Sequence, residues 1–379
     1  MMSKRRGQNE GSIYKRRDGR WAAVVNLGYK DGKRWRKSFY GTTRREVQER
    51  LTAALRAHQR GLPVVPERET VGQFLQQWLT ECVKPGVRPR THEGYAGHVR
   101  LHIAPALGRV RLGKLSPQDV QRFLNTKLGE GHSPRTVQYM HAVLRRALGQ
   151  ALKWGMVARN VATLVDPPRV ERPEVQPLSP DQARAFLAAV QGTRLEALYS
   201  VALAVGLRRG EALGLRWTDV DLDTGTLKVR TSLQRVDGRL QLVEPKTARS
   251  RRTIALPQSA IIALRHHRVR QLQERLLAGQ RWHDTGMVFT TTIGTPLDPR
   301  NVYRHFQRAL AEAGLPRKRF HDLRHTCATL LLAQGVHPRV VMDILGHSQI
   351  ALTMDTYSHV IPTLQREAAG RMDALLAGD

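Results

Sequence analysis

The stretch FHDLRHTCATLLLAQGVHPRVVMDILGHSQIALTMDTY, residues 320–357, predicts two short helices followed by a further apolar segment. In the first helix the apolar residues recur at i, i+4, i+7 and i+8, which forms one buried stripe of Leu323, Cys327, Leu330 and Leu331. Gly335 is placed to end this helix, and His337-Pro338 starts a second helix that ends at Gly346. We therefore expect a pair of helices on either side of Gly335.

Four polar side chains accompany these helices, namely His321, Arg324, His347 and Tyr357. His321 and Arg324 are three positions apart, so they lie on neighbouring rows of the same helix surface. A straight helix would separate His347 from Tyr357 by about 15 Å, so the chain must bend between them or the tyrosine segment must move. Two histidines, an arginine and a tyrosine in one region suit the attack of a phenol on a phosphodiester.

The net charge of +30 at pH 7 is the dominant feature of the composition. An excess of this size repels itself unless a polyanion neutralises it, which favours nucleic acid as the partner over an anionic membrane surface. No apolar run approaches the roughly 20 residues that span a bilayer, and the basic segment Met1–Glu10 lacks the apolar region of a signal peptide. Cys82 and Cys327 are too few for a disulfide framework. We expect a soluble, cytoplasmic protein that associates with the nucleoid.

A chain of 379 residues predicts two or three domains, of which residues 1–62 are the first. This segment holds 17 Lys and Arg against 5 Asp and Glu. Three strands are predicted, separated by Asp-Gly turn dipeptides, at 12–17, 20–27 and 33–39. Thr43 and Glu46 have the spacing of a capping box and start a helix that runs to about residue 60. The aromatic residues that we expect in the core of this basic module are Trp21, Trp35 and Phe39.

A linker at 61–69 and a proline-rich linker at 166–177 enclose a second domain, residues 67–168. Four helices are predicted in it, at 70–82, 91–103, 116–128 and 133–154. Thr70 with Gln73 forms a capping pair, and Ser116 and Ser133 each precede a proline at the first helical position. The pattern predicts a four-helix domain with many exposed basic side chains.

The last domain, residues 177–379, is predicted to be mixed but mainly helical. Helices are expected at 180–190, 194–205, 208–215, 257–278 and 298–312, and strands at 226–233, 239–243 and 252–256. The chain as a whole is therefore an α+β, mainly α, multidomain protein with a three-stranded sheet at its front, a helical middle and a small sheet in its last domain.

Arg208 and Glu211 are three apart at the start of a predicted helix, so the carboxylate can orient the guanidinium. The alternative is a surface salt bridge worth about 0–1 kcal/mol. The apolar runs on both sides of Arg208 favour a functional arginine.

Lys246 lies in a basic segment between two predicted strands. A lysine in such a turn is commonly solvated or contacts a phosphate. Its position in a predicted hairpin would make it mobile and reachable, as a proton donor to a leaving oxygen must be.

Five short motifs follow one another along the chain: GLRRGE (206–211), PKT (245–247), HDLRHT (321–326), LGHS (345–348) and DTYSH (355–359). In this order they resemble the catalytic motifs of the tyrosine recombinases, particularly the integrases of phages and conjugative elements. Each motif alone is weak, but five in the same order are specific. The resemblance covers the last domain strongly, the middle domain by architecture and the front module loosely, as an arm-site binding domain.

The resemblance implies that Tyr357 attacks the scissile phosphate of duplex DNA and leaves a 3′-phosphotyrosine and a free 5′-hydroxyl. It assigns the other roles as follows: Arg208 and Arg324 hold the non-bridging oxygens, His347 adds a donor, Lys246 protonates the departing 5′ oxygen, His321 assists proton transfer and Glu211 supports the site. It implies no cofactor and no metal. The partners it implies are core and arm-type DNA sites, a homotetramer on DNA and accessory DNA-bending or directionality proteins.

Three other functions are considered. His321 and His325 have the spacing of a two-histidine zinc site, but such a motif requires Glu after the first histidine, where this chain has Asp322. A DNA-binding regulator or degenerate recombinase without chemistry would have the same charge and domains. A type IB topoisomerase would share the phosphotyrosine chemistry without pairing two DNA sites.

Single residues also have structural alternatives. Tyr357 could be a packed aromatic residue, and His347 could bind the carbonyls at a helix C-terminus. The predicted amphipathic tail after His359 could cover its own core or, as the resemblance implies, dock on a neighbouring protomer.

Overall fold

A computed structural model of the chain describes residues 11–30, 33–59, 68–171, 176–244 and 251–346, together with short helical stretches between 369 and 377. The chain divides into two compact units, residues 1–172 and 173–379. Across the described residues we find no helix with the length and apolar content that a bilayer span requires.

The first unit begins with a three-stranded antiparallel sheet and one helix, as predicted. The elements are β1 (Ser12–Lys15), β2 (Trp21–Lys30), β3 (Lys33–Gly41) and α1 (Arg44–Gln59), and β2 lies between β1 and β3. Gly19 takes a positive φ of 81° in the turn between β1 and β2, a conformation that glycine adopts without strain. Phe39 packs with Val47 and Leu51 in the small core of this module, whereas the side chain of Trp35 lies outside the described residues.

Only half of the predicted capping box forms at the start of α1. The hydroxyl of Thr43 accepts a hydrogen bond from the backbone N–H of Glu46 at 3.2 Å. The Glu46 carboxylate does not return to Thr43 but accepts from the backbone N–H of Thr42 at 3.1 Å. Both bonds give an acceptor to a backbone N–H that has no partner within the helix, so the start of α1 is still satisfied.

The rest of the first unit is helical and has its own core. Its α-helices are α2 (Val71–Trp78), α3 (Lys84–Gly86), α4 (Pro89–His98), α5 (Ala104–Leu107), α6 (Pro117–Gly129) and α7 (Pro134–Lys153). The predicted capping pair of Thr70 and Gln73 forms in both directions. Ser116 and Ser133 cap α6 and α7 as predicted, each accepting from a backbone N–H three residues on.

Two π-helical segments, Leu79–Val83 and Val99–Ile103, carry the helices past Pro85 and Pro105. Just before Pro85, the N–H of Lys84 donates to the carbonyl of Leu79, five residues back, and Ala104 repeats this bond to Val99 before Pro105. A proline in a helix clashes with the carbonyl four residues back, and the wider turn gives that carbonyl room. The predicted ends at 82 and 103 are therefore wrong, since the helical runs continue to Gly86 and Leu107.

The second unit is mainly helical, as predicted. Its α-helices are α8 (Pro180–Val190), α9 (Glu196–Val205), α10 (Arg209–Leu213), α11 (Gln258–Ala278), α12 (Pro299–Glu312), α13 (Phe320–Ala333) and α14 (Pro338–Leu345). Its strands are β4 (Val220–Asp221), β5 (Thr226–Val229), β6 (Ser232–Val236), β7 (Arg239–Val243) and β8 (Arg252–Ala255). The largest apolar core in the described part of the chain lies between these helices and strands.

The strands form two small sheets, which differs from the prediction in two ways. The predicted strand at 226–233 is in fact β5 and β6, which belong to different sheets with the orders β4-β5-β8 and β6-β7. At the break, the hydroxyl of Thr231 donates to the carbonyl of Gly214 at 2.6 Å and ties the chain to the end of α10. The predicted hairpin around Lys246 is also wrong, because β7 pairs with β6 while β8 pairs with β5.

The helical pair predicted at 320–346 is present as α13 and α14. Gly335 and Gly346 follow the two helices with φ values of 75° and 67°, the left-handed conformation that commonly ends a helix. In the described part of the tail, Met372, Leu375 and Leu376 are 55%, 76% and 76% exposed. These three side chains therefore do not cover the chain's own core.

Candidate active site

Arg208 and Glu211 form a tight pair at the junction of α9 and α10. Gly206 ends α9 in the left-handed conformation, and Arg208 is the N-cap of α10. The Glu211 carboxylate accepts from the backbone N–H of Arg208 at 3.1 Å and from its Nη1 at 2.6 Å. Glu211 is 5% exposed and the Arg208 side chain 38%. The carboxylate thus orients a guanidinium that still faces solvent, whereas Arg209 is exposed.

A second arginine, which the sequence interpretation missed, shares the same carboxylate. Nη2 of Arg252, at the start of β8, donates to Oε2 of Glu211 at 3.0 Å, and the Arg252 side chain is only 6% exposed. Burial alone would raise the pKa of Glu211, but Arg252 and Arg208 outweigh it and hold that pKa below its ordinary value. The carboxylate therefore stays ionised between two guanidiniums.

Among the described residues, Arg324 is the largest side chain that is almost fully buried, at 1% exposure. From α13 its Nη1 donates to the carbonyl of Gly206 at 2.8 Å and its Nη2 to the carbonyl of Leu345 at 2.6 Å. A buried charge needs such donors and acceptors to offset its lost hydration. Arg324 consequently ties the end of α9 to the end of α14.

Three arginines bind three successive carbonyls at the C-terminus of α14. Arg252 donates to the carbonyl of Ile344 at 2.6 Å, Arg324 to that of Leu345 at 2.6 Å and Arg208 to that of Gly346 at 3.5 Å. The last carbonyls of a helix lack intrahelical donors and carry partial negative charge, which cations stabilise. We call this arrangement of Arg208, Arg252 and Arg324 on residues 344–346 the carbonyl clamp. His347 follows it directly in the sequence.

His321 lies near these arginines, since the charges of Arg324 and Arg208 act on it. Its ring centroid is 4.8 Å from that of His325 in an edge-to-face contact. Its pKa is lowered to about 4, first by desolvation and then by the nearby charges of His325, Arg324 and Arg208. The residue is exposed to solvent, and its imidazole is neutral at pH 7. A neutral imidazole can accept a proton from one partner or donate a hydrogen bond to another.

Of the predicted site residues, the structure brings Arg208, Glu211, His321 and Arg324 together. Lys246, His347 and Tyr357 lie outside the described residues. Arg252 carried no sequence signal except its basic neighbourhood, because its partners are 41 and 92 positions away. Among the described residues, no group of three or more His, Cys, Asp or Glu side chains is placed to hold a metal around His321 and His325.

The lowered pKa of His321 gives a testable pH dependence. We expect its NMR titration to have a midpoint near pH 4, whereas a histidine in an unfolded chain titrates near 6.5. Because the unfolded state binds the proton more readily, this histidine makes folding less favourable as the pH falls from about 6.5 towards 4. The His321→Gln variant identifies the resonance by its absence, and a midpoint near 6.5 would contradict this environment.

Residues 176–363 match the model of the phage integrase family, and residues 70–128 match that of its N-terminal SAM-like domain. A tyrosine recombinase XerC-like protein from Caldanaerobacter subterraneus subsp. tengcongensis is 33% identical over 375 residues, which cover 94% of this chain and 96% of that protein.

Two solved structures share the fold. One is the Tn1549 transposon integrase in complex with transposon right end DNA, with a TM-score of 0.67 and 23% identity over 80% of this chain and 99% of that chain. The other is a lambda integrase tetramer bound to a Holliday junction, with a TM-score of 0.57 and 20% identity over 93% of this chain and 97% of that chain.

These matches define an enzyme of site-specific DNA breakage and rejoining. The chain belongs to the phage integrase family and is a tyrosine recombinase of the kind that integrates phages and other mobile elements.

Proposed function

We propose that Tyr357 is the nucleophile and that the carbonyl clamp marks the position of the scissile phosphate. The phenol oxygen forms a bond to phosphorus, the bond from phosphorus to the 5′ oxygen breaks, and the 3′ end of the strand remains on the tyrosine. The observation that carries this proposal is the convergence of Arg208 and Arg324 on the carbonyls of residues 346 and 345, directly before His347. Rejoining reverses the step, because the ester on tyrosine conserves the energy of the broken bond.

Arg208 is the better placed of the two arginines to bind the phosphate. Its side chain is 38% exposed, and its bond to the carbonyl of Gly346 is long at 3.5 Å, so a phosphate oxygen can displace that carbonyl. Arg324 is buried and bonded to two carbonyls at less than 3 Å. In this proposal it holds the site together and turns one edge to the second non-bridging oxygen when DNA binds.

The remaining residues transfer protons or position other groups. Neutral His321 assists the transfer of the phenol proton of Tyr357, and Lys246 gives a proton to the departing 5′ oxygen. His347 donates a hydrogen bond to a non-bridging oxygen, and Glu211 keeps Arg208 in its orientation through the 2.6 Å bond.

The cost of ionising the phenol and the stabilisation that the arginines can supply are of similar size. Ionising a tyrosine of pKa about 10 at pH 7 costs roughly 4 kcal/mol. A single preorganised donor to a developing oxyanion is worth about 2.7–4 kcal/mol. Two guanidiniums that each present paired donors can therefore offset the cost of forming the phenolate.

We also propose that the chain acts in the cytoplasm, on nucleoid DNA, as a tetramer with three functional parts. Residues 1–62 would bind arm-type sites, residues 67–168 the core site, and residues 177–379 would cut and rejoin while the tail after His359 docks on a neighbouring copy. The net charge of +30 supports extensive contact with phosphates, and salt should weaken binding with a log–log slope near −0.9 per phosphate contact. Accessory proteins would set the direction of the reaction.

Deleting residues 1–62 should remove binding to one class of DNA site and leave cleavage of a core-site substrate intact. The core of the N-terminal module and that of the helical domain share no buried residue, so the remaining chain should fold. Gel-shift titrations with separate arm and core duplexes measure the effect. Unchanged binding of every duplex by the truncated protein would refute the arm-binding role.

The proposal as a whole is tested by trapping the covalent intermediate. A core duplex with a nick near the scissile phosphate releases a short fragment after cleavage, so the adduct cannot be resealed. Peptide mapping of this adduct by mass spectrometry should locate the nucleotide on Tyr357, and the yield should persist in EDTA. An adduct on another residue, or cleavage that needs added zinc, would overturn the proposal.

A further inference from the structure

Arg252 connects three parts of the second unit. It is the first residue of β8, where it pairs with Val229 of β5. Its side chain bonds Glu211 of α10 at 3.0 Å and the carbonyl of Ile344 in α14 at 2.6 Å. At 6% exposure it is shielded from water. None of the five sequence motifs includes it.

We propose that Arg252 is a positioning residue for DNA cleavage. It would act through Glu211, which orients Arg208, and through the end of α14, which leads into residue 347. The proposal rests on the roles proposed above for Arg208 and Arg324. Arg252 touches neither the phosphate nor the reacting oxygens, so its effect is on the placement of the groups that do.

The bonds to Glu211 explain why the second arginine matters. Oε1 of the carboxylate binds Nη1 of Arg208, while Oε2 binds both Nη2 of Arg252 and the backbone N–H of Arg208. With Arg252 removed, Oε2 keeps only the backbone donor, and the carboxylate can rotate about its last bond. Because Glu211 orients Arg208, the guanidinium of Arg208 then loses the fixed direction that a transition-state donor requires.

The geometry calls for arginine and not simply for a positive charge. The planar fork places Nη2 on a carboxylate of one helix and Nε on a carbonyl of another. A lysine has a single nitrogen at the end of a flexible chain and can reach one of these partners at a time. Arg252 also lies six positions after Lys246, so it anchors the chain just beyond the proposed proton donor.

The test compares single-turnover formation of the covalent adduct in Arg252→Met, Arg252→Lys and wild type at saturating nicked core duplex. We expect the Met variant to cleave about 100-fold more slowly, with DNA affinity within about threefold of wild type. The Lys variant should lie between them, because it restores the charge without the fork. Where Arg252→Met fails to fold, Arg252→Lys and Glu211→Gln carry the comparison.

Arg265 offers a matched control. Its guanidinium also meets a carbonyl and a carboxylate, those of Leu222 at 3.2 Å and Asp223 at 3.9 Å, but it is exposed and belongs to the outer face of α11. The Arg265→Met variant loses the same charge and should cleave within about twofold of wild type. Similar slowing in both variants would point to charge alone and overturn the positioning role.

A double-mutant cycle separates positioning from general support of the fold. If Arg252 acts through Glu211, the variant carrying both Arg252→Met and Glu211→Gln should cleave no more than about twofold slower than the slower single variant. Fully additive losses would overturn the proposal. So would a cleavage rate for Arg252→Met within about threefold of wild type.

A substrate with sulfur in place of the bridging 5′ oxygen distinguishes a positioning role of Arg252 from a role in protonating the leaving group. A thiol has a pKa near 8.5 and leaves without a proton donor. The defect of Arg252→Met should persist on this substrate, whereas a defect that disappears would mean that Arg252 serves Lys246 instead. Tyr357→Phe in the same assay shows separately whether the adduct depends on that tyrosine, so failure of the phosphotyrosine mechanism is recognised independently.

Discussion

Replacing Tyr357 with phenylalanine is expected to abolish the covalent adduct between protein and DNA. The substitution removes only the phenol oxygen, which is the atom that bonds to phosphorus in the proposed mechanism. Loss of a covalent nucleophile lowers rates by on the order of 10⁴-fold or more. Binding of the core duplex should stay within about threefold, because it depends on the basic surface of the chain. Denaturing gels of the nicked-substrate reaction and gel shifts of the intact duplex measure the two quantities.

Tyr303 provides the matched control for this substitution. It lies on α12 and is 43% exposed, so Tyr303→Phe removes a phenol oxygen from the same unit without touching the proposed site. This variant should form the adduct at the wild-type rate. An adduct that persists in Tyr357→Phe would remove Tyr357 from its role.

Replacing Arg208 with alanine is the second large effect that we expect. The guanidinium is the most accessible member of the carbonyl clamp, and in the proposal it supplies two donors to the phosphate in the transition state. Its loss should slow adduct formation at saturating DNA by about 10³-fold. The fold should persist, because Glu211 keeps its 3.0 Å bond to Arg252. Single-turnover cleavage rates and thermal unfolding curves test both statements.

The neighbouring Arg209 is exposed and gives the control for Arg208. Arg209→Ala removes the same charge one position along and should change the affinity for DNA more than the cleavage rate. If the two variants cleave equally well, the assignment of Arg208 is wrong. Arg324→Ala is a less selective probe, since it would also leave the carbonyls of Gly206 and Leu345 without this buried donor.

Features with local causes were predictable from the sequence. Thr70, Ser116 and Ser133 start helices as expected, because an N-cap needs only its own side chain and a backbone N–H three residues on. Gly335 and Gly346 end α13 and α14 because glycine accepts the left-handed conformation. The pair of Arg208 and Glu211, three apart, also forms within one turn of helix.

Predictions were wrong at two π-helical turns and where a distant contact decided the outcome. The helix ends predicted at 82 and 103 are wrong, because π-helical turns carry the helices past Pro85 and Pro105. The strand predicted at 226–233 divides at Thr231, where a bond to Gly214 redirects the chain. The predicted hairpin around Lys246 failed for a related reason: register between strands depends on which sheet each one joins.

The sequence by itself determined the family, the order of the five motifs and most helix limits, because these depend on residue types at short spacing. Only the tertiary structure decided that Arg208, Arg252 and Arg324 bind three successive carbonyls at the end of α14. Those bonds join residues 138, 92 and 21 positions apart. No local pattern encodes them, since they exist only when packing of the core brings three separate chain segments to one helix end.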